Sequence, residues 1–114
     1  MKEYRISMND EAGALADHCE AIAAADVNIL AVVAIGGDSA SAVILTDNPD
    51  ATSGALDDMG ANYTVADLKS IKMDHEPGAL ASFTRGMASS GVNLKSLYIM
   101  SIDGGSATIG YTTD

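Results

Sequence analysis

Ile6-Ser7-Met8-Asn9-Asp10-Glu11-Ala12-Gly13-Ala14-Leu15-Ala16 decides the fold, because the chain writes it again as Ile71-Lys72-Met73-Asp74-His75-Glu76-Pro77-Gly78-Ala79-Leu80-Ala81. Gly13 and Gly78 stand 65 positions apart. The same offset, without a gap, aligns Val27-Asn28 with Val92-Asn93 and Ser41-Ala42 with Ser106-Ala107. Solenoid units repeat every 20–50 residues or so, and this period is longer. It marks two copies of one small module, at 1–68 and 69–114.

The first copy reads outward from that stretch. Tyr4 to Met8 alternates polar and apolar residues, as a half-buried strand does. Asn9-Asp10 offers caps for the helix that follows. Leu15, Cys19, Ile22 and Ala23 fall on one face of that helix, and Asp26 breaks the pattern. Val27 to Ile35 is an apolar, β-branched run of strand length, Gly36-Gly37-Asp38 is turn chemistry, and Ala40 to Thr46 returns as a strand. Asn48-Pro49 reads as an N-cap and first helical residue. Leu56 and Met59 give the second helix an apolar edge, Gly60 closes it, and Asn62 to Leu68 is a strand. The order β-α-β-β-α-β predicts a ferredoxin-like α+β fold, with antiparallel sheets and helices on one face.

The second copy predicts a strand at Ser70–Met73, a helix carrying Leu80, Phe83, Thr84, Met87 and Ala88, and a break at Gly91. A strand from Leu94 to Ile102 follows, then a hairpin at Asp103-Gly104-Gly105 and a return over Ala107 to Thr112. This copy is truncated to β-α-β-β, lacking the final helix and strand. About two residues separate the copies, so they are expected to pack as one rigid body. A bare sheet edge favours association, and a homodimer or intimate packing against the first copy is expected.

Composition narrows the function. The 114 residues are 47% hydrophobic but only 4% aromatic, so the core is built from Val, Ile, Leu, Met and Ala. Net charge is −10. Such a surface repels nucleic-acid phosphates and anionic membranes, so neither is expected as a partner. Residues 1–65 carry 2 Lys/Arg and 11 Asp/Glu, against 4 and 5 in residues 66–114, which either makes the second copy the better home for an anionic ligand or simply gives the first copy an acidic solvated face. Cys19 is the only cysteine, and no apolar run reaches membrane-spanning length. A cytoplasmic protein is expected.

The turns carry the chemistry. A helix N-terminus holds unpaired N–H groups and a positive dipole end, which suit a carboxylate. Gly13 and Gly78 clear the approach to the backbone. Asp74 and Asn93 offer oxygens to an ammonium group, and together with the helix they compose a site for a zwitterion. The plainer reading is that Pro77-Gly78 starts a helix and Asp74 caps it. His75 sits in the turn, where it either contacts a ligand or is an exposed turn histidine. His18 and Cys19 point about 100° apart on a helix and do not chelate one metal. No CxxC or HxxxH spacing exists, so no metal and no cofactor is expected.

The pattern of a strand, Asp74-His75-Glu76-Pro77-Gly78-Ala79-Leu80-Ala81, a helix, Gly91-Val92-Asn93-Leu94 and a strand resembles the ACT domain family. The first copy repeats it as Asn9-Asp10-Glu11-Ala12-Gly13-Ala14-Leu15-Ala16 and Asp26-Val27-Asn28-Ile29. The resemblance covers nearly the whole chain, with Ala12 where the family's turn usually has Pro. It implies a regulatory module that binds a small ligand, usually an amino acid, where two domains pair. It puts Asp74, His75, Gly78, Ala79 and Leu80 on one side of the ligand, with first-copy equivalents Asn9, Asp10, Gly13, Ala14 and Leu15. Asn28 or Asn93 of a neighbouring module lies on the other side.

The leading expectation is therefore a non-catalytic amino-acid-binding regulator acting on its own assembly state or on a separate enzyme or regulator. Two alternatives stand beside it: a structural assembly module without ligand, and a small ferredoxin-like enzyme. The enzyme reading lacks a placed acid–base pair, since His75 and Glu76 diverge as neighbours at a helix start. An RNA-binding sheet is disfavoured by the charge and the lack of paired aromatics.

Overall fold

The structure, a computed structural model, describes residues 1–114. The fold is α+β and ferredoxin-like, with the chain divided into two compact units, Met1–Asp67 and Leu68–Asp114.

In unit 1 the order is β1 (Lys2–Ser7), α1 (Ala14–Ala24), β2 (Ile29–Ile35), β3 (Ser41–Thr46), α2 (Pro49–Asp58) and β4 (Asn62–Asp67). The sheet runs β2-β3-β1-β4, and every neighbouring pair is antiparallel. Side chains alternate across a pleated strand, so Tyr4 and Ile6 on β1 share a face with their cross-strand partners Ile44 and Ala42. That face meets Ile22 of α1, Leu56 of α2 and Val27 in one buried cluster. The Tyr4 hydroxyl donates to the Pro49 carbonyl at 2.6 Å and lies 2.7 Å from Ser53 Oγ, which pins α2 to the sheet. An ion pair between Lys2 and Asp67 joins β1 to β4, and the hydrogen bond from Lys2 is the main cause that holds the Asp67 carboxyl below its usual range.

The helix ends follow their sequences. Asn48 accepts from the Ala51 amide at 3.2 Å, with Pro49 as the first helical residue. Replacing Asn48 by alanine is expected to cost about 1 kcal/mol, measured by urea unfolding. The far end of α2 closes as a Schellman motif: Ala61 N–H donates to Leu56 O at 2.9 Å and Gly60 N–H to Asp57 O at 3.0 Å. Asp26, which follows α1, has φ 60; Gly91, at the matching position after the third helix, has φ 74. Aspartate is one of the few side chains that tolerates this left-handed conformation.

Unit 2 runs β5 (Lys69–Asp74), α3 (Ala79–Ser89), β6 (Leu94–Asp103) and β7 (Ser106–Thr113), in sheet order β5-β7-β6. Its centre is Ala107 and Ile109 of β7, and Phe83 of α3 meets Tyr111 edge-on with ring centroids 5.2 Å apart.

Two local expectations are corrected. Asn9-Asp10 does not cap α1; its N-cap is Gly13, and no side chain caps it. The buried face of α1 is carried by His18 and Ile22, with Leu15 and Ala23 exposed. Burial of His18 is tolerated because the ring Nδ1 lies 2.7 Å from the Ala14 carbonyl, to which it donates.

Candidate functional site

The two turns are near-identical backbones. Gly13 has φ 89 and ψ −13; Gly78 has φ 90 and ψ −15. Each precedes a helix, and neither helix has a side-chain cap. The amide after each glycine closes the turn, Ala14 N–H to Glu11 O and Ala79 N–H to Glu76 O, both at 3.3 Å. The glycine carbonyl then accepts the first helical bond, from Asp17 and from Ser82, both at 2.9 Å. Amides 15 and 16, and 80 and 81, precede that bond and have no acceptor in the preceding turn of helix.

Glycine is required here by its positive φ. A Cβ at either position would meet nothing within 4 Å, so the space before both turns is open. The two helix starts differ in charge: α1 has Asp17 in its first turn, and α3 has no acid there. The α3 dipole end therefore stays the better partner for an anion.

In unit 1, Asn9, Asp10, Ala14 and Leu15 line one cleft of about 180 Å³, together with Ile35 and Gly36 of the β2–β3 connection. Gly13 shapes the turn and is not part of the lining. One carboxylate oxygen of Asp10 accepts from the Gly37 amide at 2.9 Å, which ties the turn to the hairpin. A Cβ on Gly36 would sit 2.9 Å from the other oxygen. Unit 2 makes the equivalent tie through backbone alone, His75 N–H to Gly105 O at 2.8 Å. Asp74 and His75 lie exposed at the end of β5, beside the start of α3 at Ala79 and Leu80.

The asparagines lie elsewhere. Asp74 pairs with Ser106 at one end of β7, whereas Leu94, next to Asn93, pairs with Thr113 at the other. That stretch of strand measures roughly 23 Å, so Asp74 and Asn93 of one unit do not share a ligand. Asn28 is separated in the same way from Asn9 and Asp10. Its amide N–H donates to Asp47 Oδ1 at 3.0 Å and its side chain to Oδ2 at 3.3 Å. Asn93 repeats this with Asp114 at 3.3 Å, where Lys95 also pairs at 3.0 Å. The hydrogen bond from Lys95, then that from Asn93, keeps the Asp114 carboxyl below its usual range. Both asparagines thus close the start of one strand onto the end of its neighbour.

Asp47 and Asp114 were invisible to a rigid offset of 65. They stand 67 apart, because β7 is two residues longer than β3. The recurring signal is an Asp directly after the returning strand. No group of three or more His, Cys, Asp or Glu side chains is placed to hold a metal.

No protein-family model matches the sequence, and no curated protein does. Solved structures do match. A protein of Bacteroides thetaiotaomicron superposes with TM-score 0.83 at 21% identity, over 98% of this chain and 78% of its own. The ligand-free regulatory subunit of aspartate kinase from Thermus thermophilus gives 0.68 at 16% identity, over 96% and 80%. The fold is that of ACT-domain proteins. An aspartate kinase of Clostridium acetobutylicum, described as an allosteric enzyme, superposes with TM-score 0.61 at 9% identity, over 96% of this chain and 28% of its own. At these identities the likeness is one of architecture. In that ACT fold each glycine turn stands between the first strand and first helix of its unit.

Proposed function

We propose that the chain is a regulatory protein without catalysis of its own, binding an amino acid or a like zwitterion at its strand-to-helix turns. The observation that carries this reading is the pair of uncapped helix starts, each behind a left-handed glycine with open space before it. The ligand carboxylate takes the free amides, 80 and 81 in unit 2 and 15 and 16 in unit 1. Asp74 in unit 2, and Asn9 in unit 1, take the ammonium. His75 flanks the first site and Asp10 shapes the second. Asn28 and Asn93 join only where a second chain brings that end of a sheet to a turn. The regulatory subunit and the allosteric enzyme among the matching structures support a regulatory role.

The same reading includes self-association in the cytoplasm. β2 is an outer strand of seven residues, Ile29-Leu30-Ala31-Val32-Val33-Ala34-Ile35, without a polar side chain. Leu30, Val32, Val33 and Ile35 are all exposed. An edge with no Lys, no Pro and no cover pairs readily with another strand. Ligand that binds the dimer better than the monomer shifts that equilibrium, and a separate enzyme or regulator reads the result.

Titration calorimetry against the standard amino acids tests the ligand. At least one is expected to bind the wild type. Ala14→Glu and Ala79→Glu each put a competing carboxylate at a helix start, where it adds about 0.3–1 kcal/mol to stability rather than removing it. Loss of binding in Ala79→Glu alone assigns the live site to unit 2. If no amino acid binds the wild type, the reading fails. The assembly-module alternative has one observation in its favour, since positive φ accounts for both glycines without a ligand.

A further inference from the structure

His18 is a buried polar group of unit 1 to which the amino-acid reading gives no task. The residue is 9% exposed. Its Nδ1 lies 2.7 Å from the Ala14 carbonyl, an acceptor without a proton of its own. The hydrogen of the neutral ring therefore sits on Nδ1, and Nε2 keeps its lone pair. That nitrogen has no partner in the protein. Packing alone does not call for a polar ring at this position. Sixty-five residues on, α3 carries Phe83, which meets Tyr111 edge-on. A histidine with one nitrogen left open bears a desolvation cost that phenylalanine avoids.

His18 lines a cleft of about 290 Å³, and with Nδ1 taken, Nε2 is the edge it offers there. In the sheet, β1 stands between β3 and β4, so the turn that follows it has a neighbour on each side. The 180 Å³ cleft opens toward the β2–β3 connection. This larger one opens toward the α2–β4 corner, where the Schellman end of α2 brings up Met59 and Asn62. Its polar lining is Asn9, Glu11, Asp17, His18 and Asn62, with no Lys or Arg. Acceptors dominate it: two carboxylates, two amide oxygens and the imidazole lone pair. No three of its acids and histidine are placed to hold a metal. An anion would meet two carboxylates. A primary ammonium group brings three donors and one positive charge, and Met8 and Met59 offer wall to its alkyl chain. We propose that this cleft binds a small primary alkylammonium ion, with His18 Nε2 accepting one of its N–H groups and Glu11 and Asp17 supplying the counter-charge. This goes beyond the amino-acid reading and does not depend on it, since such a ligand uses no helix amide.

n-Butylammonium chloride serves as the probe, titrated into the full chain and followed through the imidazole nitrogen signals by NMR. The buffer is mildly alkaline, where a free imidazole is neutral and the amine still charged. The chain has two histidines, and the exposed His75 is the internal reference. The His18 signals are expected to move saturably while those of His75 stay in place. Calorimetry is expected to show binding about tenfold weaker in His18→Phe, which copies the second unit, and about threefold weaker in Glu11→Gln. Glu11 is exposed, and each variant is checked by its thermal transition. No saturable movement at His18, equal movement at both histidines, the same movement with tetramethylammonium, which has no N–H, or binding untouched by both substitutions would overturn the proposal.

Discussion

Replacing Ile44 by alanine is expected to lower stability by about 3 kcal/mol and the melting temperature by roughly 12 °C. Ile44 is fully buried and packs with Tyr4, Ile22 and Leu56, which come from β1, α1 and α2. Removing its side chain leaves a void that three elements border, and the sheet cannot collapse into it without shifting both helices. Ile99 makes the contrast. It is 50% exposed on the outer strand β6, so Ile99→Ala is expected to cost less than about 1 kcal/mol. Urea unfolding of both variants checks the pair. Equal losses would mean that the buried cluster of unit 1 is not what holds the fold together.

The second large effect concerns assembly. Val32→Lys is expected to turn a dimer into a monomer in sedimentation velocity, with little change in the melting of the monomer. Val32 is central in β2 and 49% exposed; it lies opposite Ile44 in the sheet, and its half-exposed side chain leaves a lysine a path to water. In an antiparallel pair of β2 strands related by a two-fold axis, residues near the middle lie opposite their own copies. Two lysines there repel, and each must leave water. Since the chain carries net charge −10, its uncharged strand is where two copies meet with least repulsion. A wild type that sediments as a monomer, or a variant that sediments as a dimer, removes the self-association reading.

The architecture was legible because one spacing governed it. The repeated turn, the Asn48-Pro49 start of α2 and Gly60 and Gly91 after their helices are local signals, and local backbone chemistry decides them. The site was legible only in part. Asp10 reads as a helix cap, but its partner Gly37 lies 27 residues away across an irregular connection. Asn28 and Asn93 read as ligand groups, and strand register adds partners that periodicity does not name, Asp47 and Asp114. His18 reads as a polar neighbour of Cys19, and only the tilt of α1 against the sheet shows that it is the buried one. Such partners depend on register and helix rotation, which residue periodicity leaves open by a residue or two.

The bond from Gly37 to Asp10 has a consequence for how the two halves can diverge. It fastens the turn of unit 1 to the loop that ends β2 by one side chain, while unit 2 fastens its turn by peptide groups alone. A single base change can therefore remove the side-chain tie and leave the backbone bond from Met8 N–H to the Ala40 carbonyl, at 3.2 Å, as the remaining link. No substitution at His75 or Gly105, short of proline at 75, removes the equivalent bond in the second. Unit 1 is thus the half in which selection can tune how firmly the turn holds the end of the strand, and unit 2 is the half in which that connection is inherited unchanged.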